Sequence, residues 1–225
     1  MNNQDISNVK ANFVLSGLDS EVEDRIVASR RSAFARYGKL ALLGSAPLVV
    51  AMASTEAFAA GGLPQQVVDV LNFALTLEYL EAAFYKKGNA TRGLIPAKYR
   101  GLFRTIGAHE TAHVALLKGA LGAAAVAAPN VDFTSGGKYA DVFENFTTFA
   151  TLSATFEDLG VAAYKGQAGN LAGTPVLQTA LQIHSVEARH ASAVRPLIGK
   201  AGWDDAFDKP KSKSEVLAAA KPFLA

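Results

Sequence analysis

The chain of 225 residues has no cysteine. Disulfides, thiol nucleophiles, zinc–cysteine sites and iron–sulfur clusters are therefore excluded. An excess of one charge is also lacking: 22 Lys and Arg stand against 20 Asp and Glu, a formal net charge of +2. That balance gives no argument for a nucleic-acid partner. After residue 60 no hydrophobic run is long enough to span a bilayer. Histidine is scarce, and all four copies (His109, His113, His184 and His190) fall in two short stretches. Imidazole is the commonest metal-binding side chain, so this concentration is informative. What remains is a chain that is 50% hydrophobic and long enough for one domain with a substantial core.

The N-terminal part reads differently from the rest. Residues 1–28 are polar and of mixed charge. They are followed by Ser29-Arg30-Arg31-Ser32-Ala33-Phe34, then Lys39, an apolar stretch from Leu40 to Ala53 broken by Gly44 and Pro47, and Ala57-Phe58-Ala59. A basic region, a short apolar region and a small-residue cleavage site together read as an export signal rather than a membrane span. The arginine pair resembles a twin-arginine (Tat) signal. Such a route carries folded proteins and suits a chain that acquires a cofactor before export. Cleavage after Ala59 is expected, giving a periplasmic or otherwise exported protein with no membrane attachment; an uncleaved anchor is the alternative. The chain then divides into residues 1–59 (N-terminal region and signal), 60–205 (helical bundle) and 206–225 (tail with a short helix).

The mature region reads as helices of period 3.6. The first is expected from Pro64 to Lys87, with Gly88 as its stop, and the second over about 97–121. Residues 123–138 contain Pro, Asn and Gly-Gly and read as a long connection. A third helix is expected from about Tyr139 to Lys165. The fourth is opened by Thr174 as N-cap with Pro175 in the first turn, and ended by Gly199. Ser212-Lys213-Ser214-Glu215 is a capping-box pattern that starts a short helix through Ala220.

Two of these helices carry E-x-x-H, as Glu110…His113 and Glu187…His190. Residues three apart share a helix face, with Cβ atoms roughly 5–6 Å apart. The motifs are copies of one another: Ile106, Glu110, His113, Leu117 and Leu121 answer Ile183, Glu187, His190, Val194 and Ile198. The repeat extends to the other two helices. LEYLEAAFYKKG (77–88) aligns with FEDLGVAAYKGQ (156–167), matching Glu78 with Glu157 and Tyr85 with Tyr164. The chain is thus a duplicated helical hairpin, a glutamate helix followed by an E-x-x-H helix, with a long crossover between the copies. The fold class expected is an all-α four-helix bundle.

One Glu from each of two helices, with E-x-x-H from each of the other two, is the ligand set of dinuclear carboxylate bundles. Four carboxylates and two imidazoles suit two iron or manganese ions better than zinc or copper. The metal ligands expected are Glu78, Glu110, His113, Glu157, Glu187 and His190. The opposing reading is a hydrogen-bonded polar layer without metal, an expensive way to build a core. Tyr85 and Tyr164, seven residues after their glutamates, are either donors to the ligands or core aromatics. His184 reads as a packed, hydrogen-bonded histidine, and His109 has no role in the motif, since its counterpart is Val186.

LNFALTLEYLEAAFY, the HETAHV stretch, TFEDLGVAAY, SVEARH and the tail AFDKPKSKSEVLAAAKPF resemble the bacterial ferritin-like domain family that includes desiccation- and stress-related proteins. The resemblance covers residues 65–225. It implies a ferritin-like bundle with a di-iron centre in which Glu110 and Glu187 bridge the ions, Glu78 and Glu157 are terminal, and His113 and His190 each cap one. Rubrerythrins carry a further glutamate three residues after the third-helix ligand, where this chain has Gly160. An added carboxylate stands instead at Glu81, as a seventh ligand, a proton relay or half of a salt bridge. There is no rubredoxin module, so an electron donor is external. The function expected is redox chemistry on O2 or H2O2 in stress protection, and the reading allows a homo-oligomer. The alternative is a non-catalytic metal-binding or structural stress protein.

Overall fold

The computed structural model describes residues 62–203 and 205–225. The proposed signal, Arg30 and Arg31 included, lies outside the described residues. The fold is all-α. Four helices form the bundle: α1 (Gln65–Ala90), α2 (Arg100–Leu121), α3 (Phe146–Gln167) and α4 (Val176–Val194). A short α5 (Lys213–Ala220) follows. Among the described residues no helix is long and apolar enough to cross a membrane.

The hairpins α1–α2 and α3–α4 have short connections, whereas residues 122–145 carry the chain from one hairpin to the other. That crossover is held by local polar chemistry. Asp132 accepts hydrogen bonds from the Thr134 and Gly136 amides at 2.9 and 2.8 Å. The C-terminal residues pin it from the other side: Val131 bridges Leu224, and the Asp132 amide donates to the Phe223 carbonyl at 2.9 Å. Helix α5 begins with the capping box expected at Ser212 and Glu215, and it buries Val216 and Ala220 against Phe73, Leu77, Leu159 and Ala163.

Three boundaries differ from the sequence reading. Helix α3 starts at Phe146, not near Tyr139. Asn145 has extended backbone angles and its side chain accepts from the Thr147 amide, which makes it the N-cap. The apolar spacing upstream, including Phe143, reflects turn residues packed against Phe84 and Phe133 rather than a helix face. Helix α1 runs through Gly88 to Ala90, so this glycine is not a stop. It is there for close approach: a Cβ on Gly88 would stand 2.3 Å from the ring of Phe149. Thr174 does not cap α4 with its side chain; its hydroxyl donates back to the Leu171 carbonyl at 2.7 Å.

Besides the cluster under α5, the core has two apolar halves. One is rich in rings, with Phe84, Tyr85, Phe103, Phe149 and Phe156 buried among its members. The other is aliphatic, built on residues such as Val70, Leu71, Leu75, Leu117, Val176 and Ile183, and Tyr164 is the one ring among its buried members. A layer of charged side chains lies between them.

Candidate metal centre

Each helix of the bundle turns one face inward at the same level. Helix α1 contributes Glu78 and Glu81, α2 Glu110 and His113, α3 Glu157, and α4 Glu187 and His190, and all seven side chains are buried. The acidic and imidazole groups sort into two clusters, Glu78–Glu110–His113–Glu187 and Glu110–Glu157–Glu187–His190. In each, one ligand atom per residue lies within 4.8 Å of all the others. Glu110 and Glu187 belong to both. Glu110 turns Oε2 to His113 Nδ1 at 3.0 Å and Oε1 to His190 Nδ1 at 2.9 Å. Glu187 turns Oε1 to His113 Nδ1 at 3.0 Å and Oε2 to His190 Nδ1 at 3.8 Å. Glu78 and Glu157 each face a single imidazole, at 3.2 and 3.1 Å.

All six expected ligand residues are thus brought together, with the two-fold symmetry of the repeat. The site residues were legible because a 3.6 period places each carboxylate on an otherwise apolar face.

Electrostatics fits a site built for cations. Burial pushes the carboxyl of Glu78 up to about 8 against the pull of His113. Burial and the neighbouring carboxylates also hold Glu81 and Glu157 well above the ordinary range, although His190 acts against this at Glu157. Burial opposes charge on Glu110 as well, but the hydrogen bond from His113 and the close positive charges of His113 and His190 outweigh it and hold this group at about 2. Burial would lower His190, yet its contacts to Glu110, Glu157 and Glu187 push it up to about 12, and His113 is raised in the same way.

Glu110 Oε1 and both oxygens of Glu187 are buried with no hydrogen bond aligned on them, although imidazole nitrogens stand within 4 Å. Orphaned buried carboxylate oxygens are costly unless a cation takes them up. They fall on the two shared glutamates, where a pair of ions would need them. The donor set therefore fits a dinuclear metal centre.

Residues 66–200, more than half of the chain, match the family described as Ferritin-like domain. The chain belongs to that family. No curated protein matches the chain as a relative.

Around this ferritin-like centre the tyrosines prove to be donors as well as core residues. The Tyr85 hydroxyl on α1 donates to Glu157 Oε1 on α3, and Tyr164 on α3 donates to Glu78 Oε1 on α1 at 2.5 Å. Burial and the adjacent carboxylates keep both phenols protonated. Each tyrosine thus holds one oxygen of Glu157 or Glu78 and leaves the other for the imidazole side. Gly160 explains how Glu81 fits: a Cβ there would meet Glu81 Oε1 and Glu187 Oε2, each at 3.3 Å. None of the ion pairs among the described residues includes Glu81, so the salt-bridge reading of it does not hold.

His109 is the residue that sequence reasoning missed. It is an exposed residue of α2 whose ring is partly covered where it stacks on His190, with centroids 5.1 Å apart and planes at 17°. Its Nδ1 lies 2.9 Å from His190 Nε2. The contact crosses between α2 and α4, and no single helix shows it. His184 stays outside the centre; its Nε2 lies 3.9 Å from Asp208 Oδ2 and lacks the hydrogen bond expected of it.

Proposed function

We propose that the protein is an exported ferritin-like protein whose dinuclear iron or manganese centre reduces O2 or H2O2 in stress protection. The reading is carried by the two shared carboxylates, each offering one oxygen to each imidazole cluster, three of these oxygens orphaned. Glu110 and Glu187 would bridge the ions, Glu78 and His113 would complete one position, and Glu157 and His190 the other. A bound pair of such ions supplies two electrons, one from each, to convert O2 and two protons into H2O2, or H2O2 and two protons into two waters. An external donor, which the chain does not contain, would restore the electrons.

The surrounding residues set the conditions for that chemistry. Tyr85 and Tyr164 fix the terminal carboxylates. Glu81, neutral when buried, holds a proton beside Glu187 within the site. The aliphatic and aromatic half-cores exclude bulk water from both sides of the layer.

Protein recovered from outside the cytoplasm should begin at Ala60 and carry about two ions per chain by elemental analysis. It should oxidise Fe(II) faster than solution does, and Glu110→Ala should remove that excess. A metal-free preparation that refuses Fe(II) and Mn(II) sinks the centre. Retention of the precursor in the cytoplasm sinks export. Two ions bound with no oxidation above the solution rate leaves a non-catalytic metal-binding protein.

A further inference from the structure

The two ends of the bundle descend from duplicate sequence yet are packed differently. Beyond Tyr85, the rings of Phe84, Phe103, Phe149 and Phe156 fill the space between the helices, each at most 1% exposed. Phe84 stacks on Phe149 with centroids 4.8 Å apart, and Phe156 meets Phe84 edge-on at 5.0 Å. In the repeat these four positions correspond to Ala163, Ala180, Val70 and Leu77. All four of those residues line one cavity at the other end, with a volume of about 20 Å3. Exchanges in the opposite direction (Gln167 for Gly88, Leu71 for Ala150, Leu116 for Ala193, Phe73 for Leu152) put back much of the lost volume but not all of it.

The cavity borders the metal layer at Tyr164, although no proposed ligand lines it. Tyr164 lines it, and its hydroxyl is bonded to Glu78. Leu77, which precedes Glu78, and Leu117, one turn after His113, are in the same wall. A volume of about 10–15 Å3 is enough for one water-sized molecule, but Tyr164, Gln167 and Thr179 leave the wall almost wholly apolar, and apolar cavities of this kind take up gases instead. Hydrogen peroxide would lose its hydrogen bonds to water on entering, whereas dioxygen has none to lose.

We propose that this cavity binds dioxygen and delivers it to the Glu78–His113 side of the centre, so that dioxygen is the oxidant the site is built to admit. The delivery role rests on the metal reading above; the cavity does not. At the four matched positions one end of the duplicated bundle is plugged by phenylalanine, and the other is opened by alanine, valine and leucine.

Xenon is the probe for the cavity. Crystals of the metal-free protein under xenon pressure should show xenon between Leu77, Ala163 and Ala180, and Ala163→Phe, which restores the ring of the counterpart position, should abolish it. Ala180→Leu gives the same reading with a smaller addition if Ala163→Phe does not fold. Absence of xenon there in the wild type, or its retention in the folded variant, overturns the proposal. In iron-loaded protein the ratio of dioxygen-driven to peroxide-driven Fe(II) oxidation should fall by about tenfold in the variant. An unchanged ratio overturns delivery. Wild-type protein that takes up xenon but no iron overturns delivery through the metal reading, an outcome distinguishable from loss of the cavity.

Discussion

At the scale of single residues, one contact in the centre has no counterpart in the other half. His190 turns Nδ1 to the carboxylates, so its Nε2 is free to donate to His109 Nδ1 at 2.9 Å. Burial, and then the neighbouring imidazoles of His190 and His113, lower the basicity of His109, which keeps it neutral and able to accept. A ligand histidine held through its second nitrogen is fixed in both tautomer and ring orientation. His113 has no such partner in the sequence repeat, because the position answering His109 is Val186. His109→Ala should therefore weaken one metal position by about 10- to 100-fold and spare the other. Titration with Co(II) or Mn(II) reads this as one binding step that weakens while the other keeps its wild-type affinity. Nitrogen-15 spectra of the imidazoles should show the His190 Nε2–H signal shift as its acceptor is lost, and His109→Gln, which keeps an acceptor, should recover part of the loss. Equal weakening at both positions would mean that His109 only packs.

At the scale of helices, position matters as much as period. Gly88 lies inside α1 and touches Phe149, and the two have changed together in the other copy, where Gln167 and Val70 stand. Alanine normally gains roughly 0.5–1 kcal/mol over glycine within a helix. Here the added Cβ would stand 2.3 Å from a ring wedged between Phe84 and Phe103. Overpacking of that kind costs about 1–3 kcal/mol, so Gly88→Ala should destabilise. In a Phe149→Val background the same change should turn neutral or favourable. Denaturant melts of the four proteins close this cycle, and additive effects would dismiss the contact. The same reasoning separates what was legible in the sequence from what was not. Glu78, Glu110, His113, Glu157, Glu187 and His190 interrupt apolar stripes at helical spacing, and each half of the chain corroborates the other. The start of α3 was not legible, because Phe143 continues the stripe without continuing the helix, and Asn145 decides the matter through one side-chain bond to the Thr147 amide. Gly88 looked like a stop because its tertiary partner is 61 residues away. His109 was hidden for a related reason: its partner lies on another helix, and the scarcity of histidine outside the two motif stretches was the one signal pointing to it.

At the scale of the molecule, two apolar half-cores clamp a layer that is unfavourable until it is charged in the right way. Without metal, Glu78 titrates near 8 in the folded chain against an ordinary 4.5. Between those values the folded state keeps a proton that the unfolded chain has released, so stability falls as pH rises across that window. His190 acts in the same direction, because its contribution is complete below 6.5 and is lost as pH climbs toward about 12. Glu110 acts oppositely: held at about 2, it stabilises fully above 4.5 and loses that contribution as pH falls further. The metal-free protein should therefore have its highest Tm somewhat above 4.5 and lose a few kcal/mol by about pH 8. Metal reverses the trend. Carboxylates and imidazole nitrogens must shed protons to bind it, so affinity rises over the same range in which the metal-free fold weakens. An ion bound at about one hundred times its Kd adds roughly 2.7 kcal/mol, and more as Kd falls. The difference in Tm between metal-loaded and metal-free protein should thus widen from about pH 5 to about pH 8. Calorimetry of both forms across that range decides it. A metal-free Tm that climbs toward pH 8, or a difference that stays constant, would mean that the buried layer holds its protons elsewhere and that metal is not what completes it.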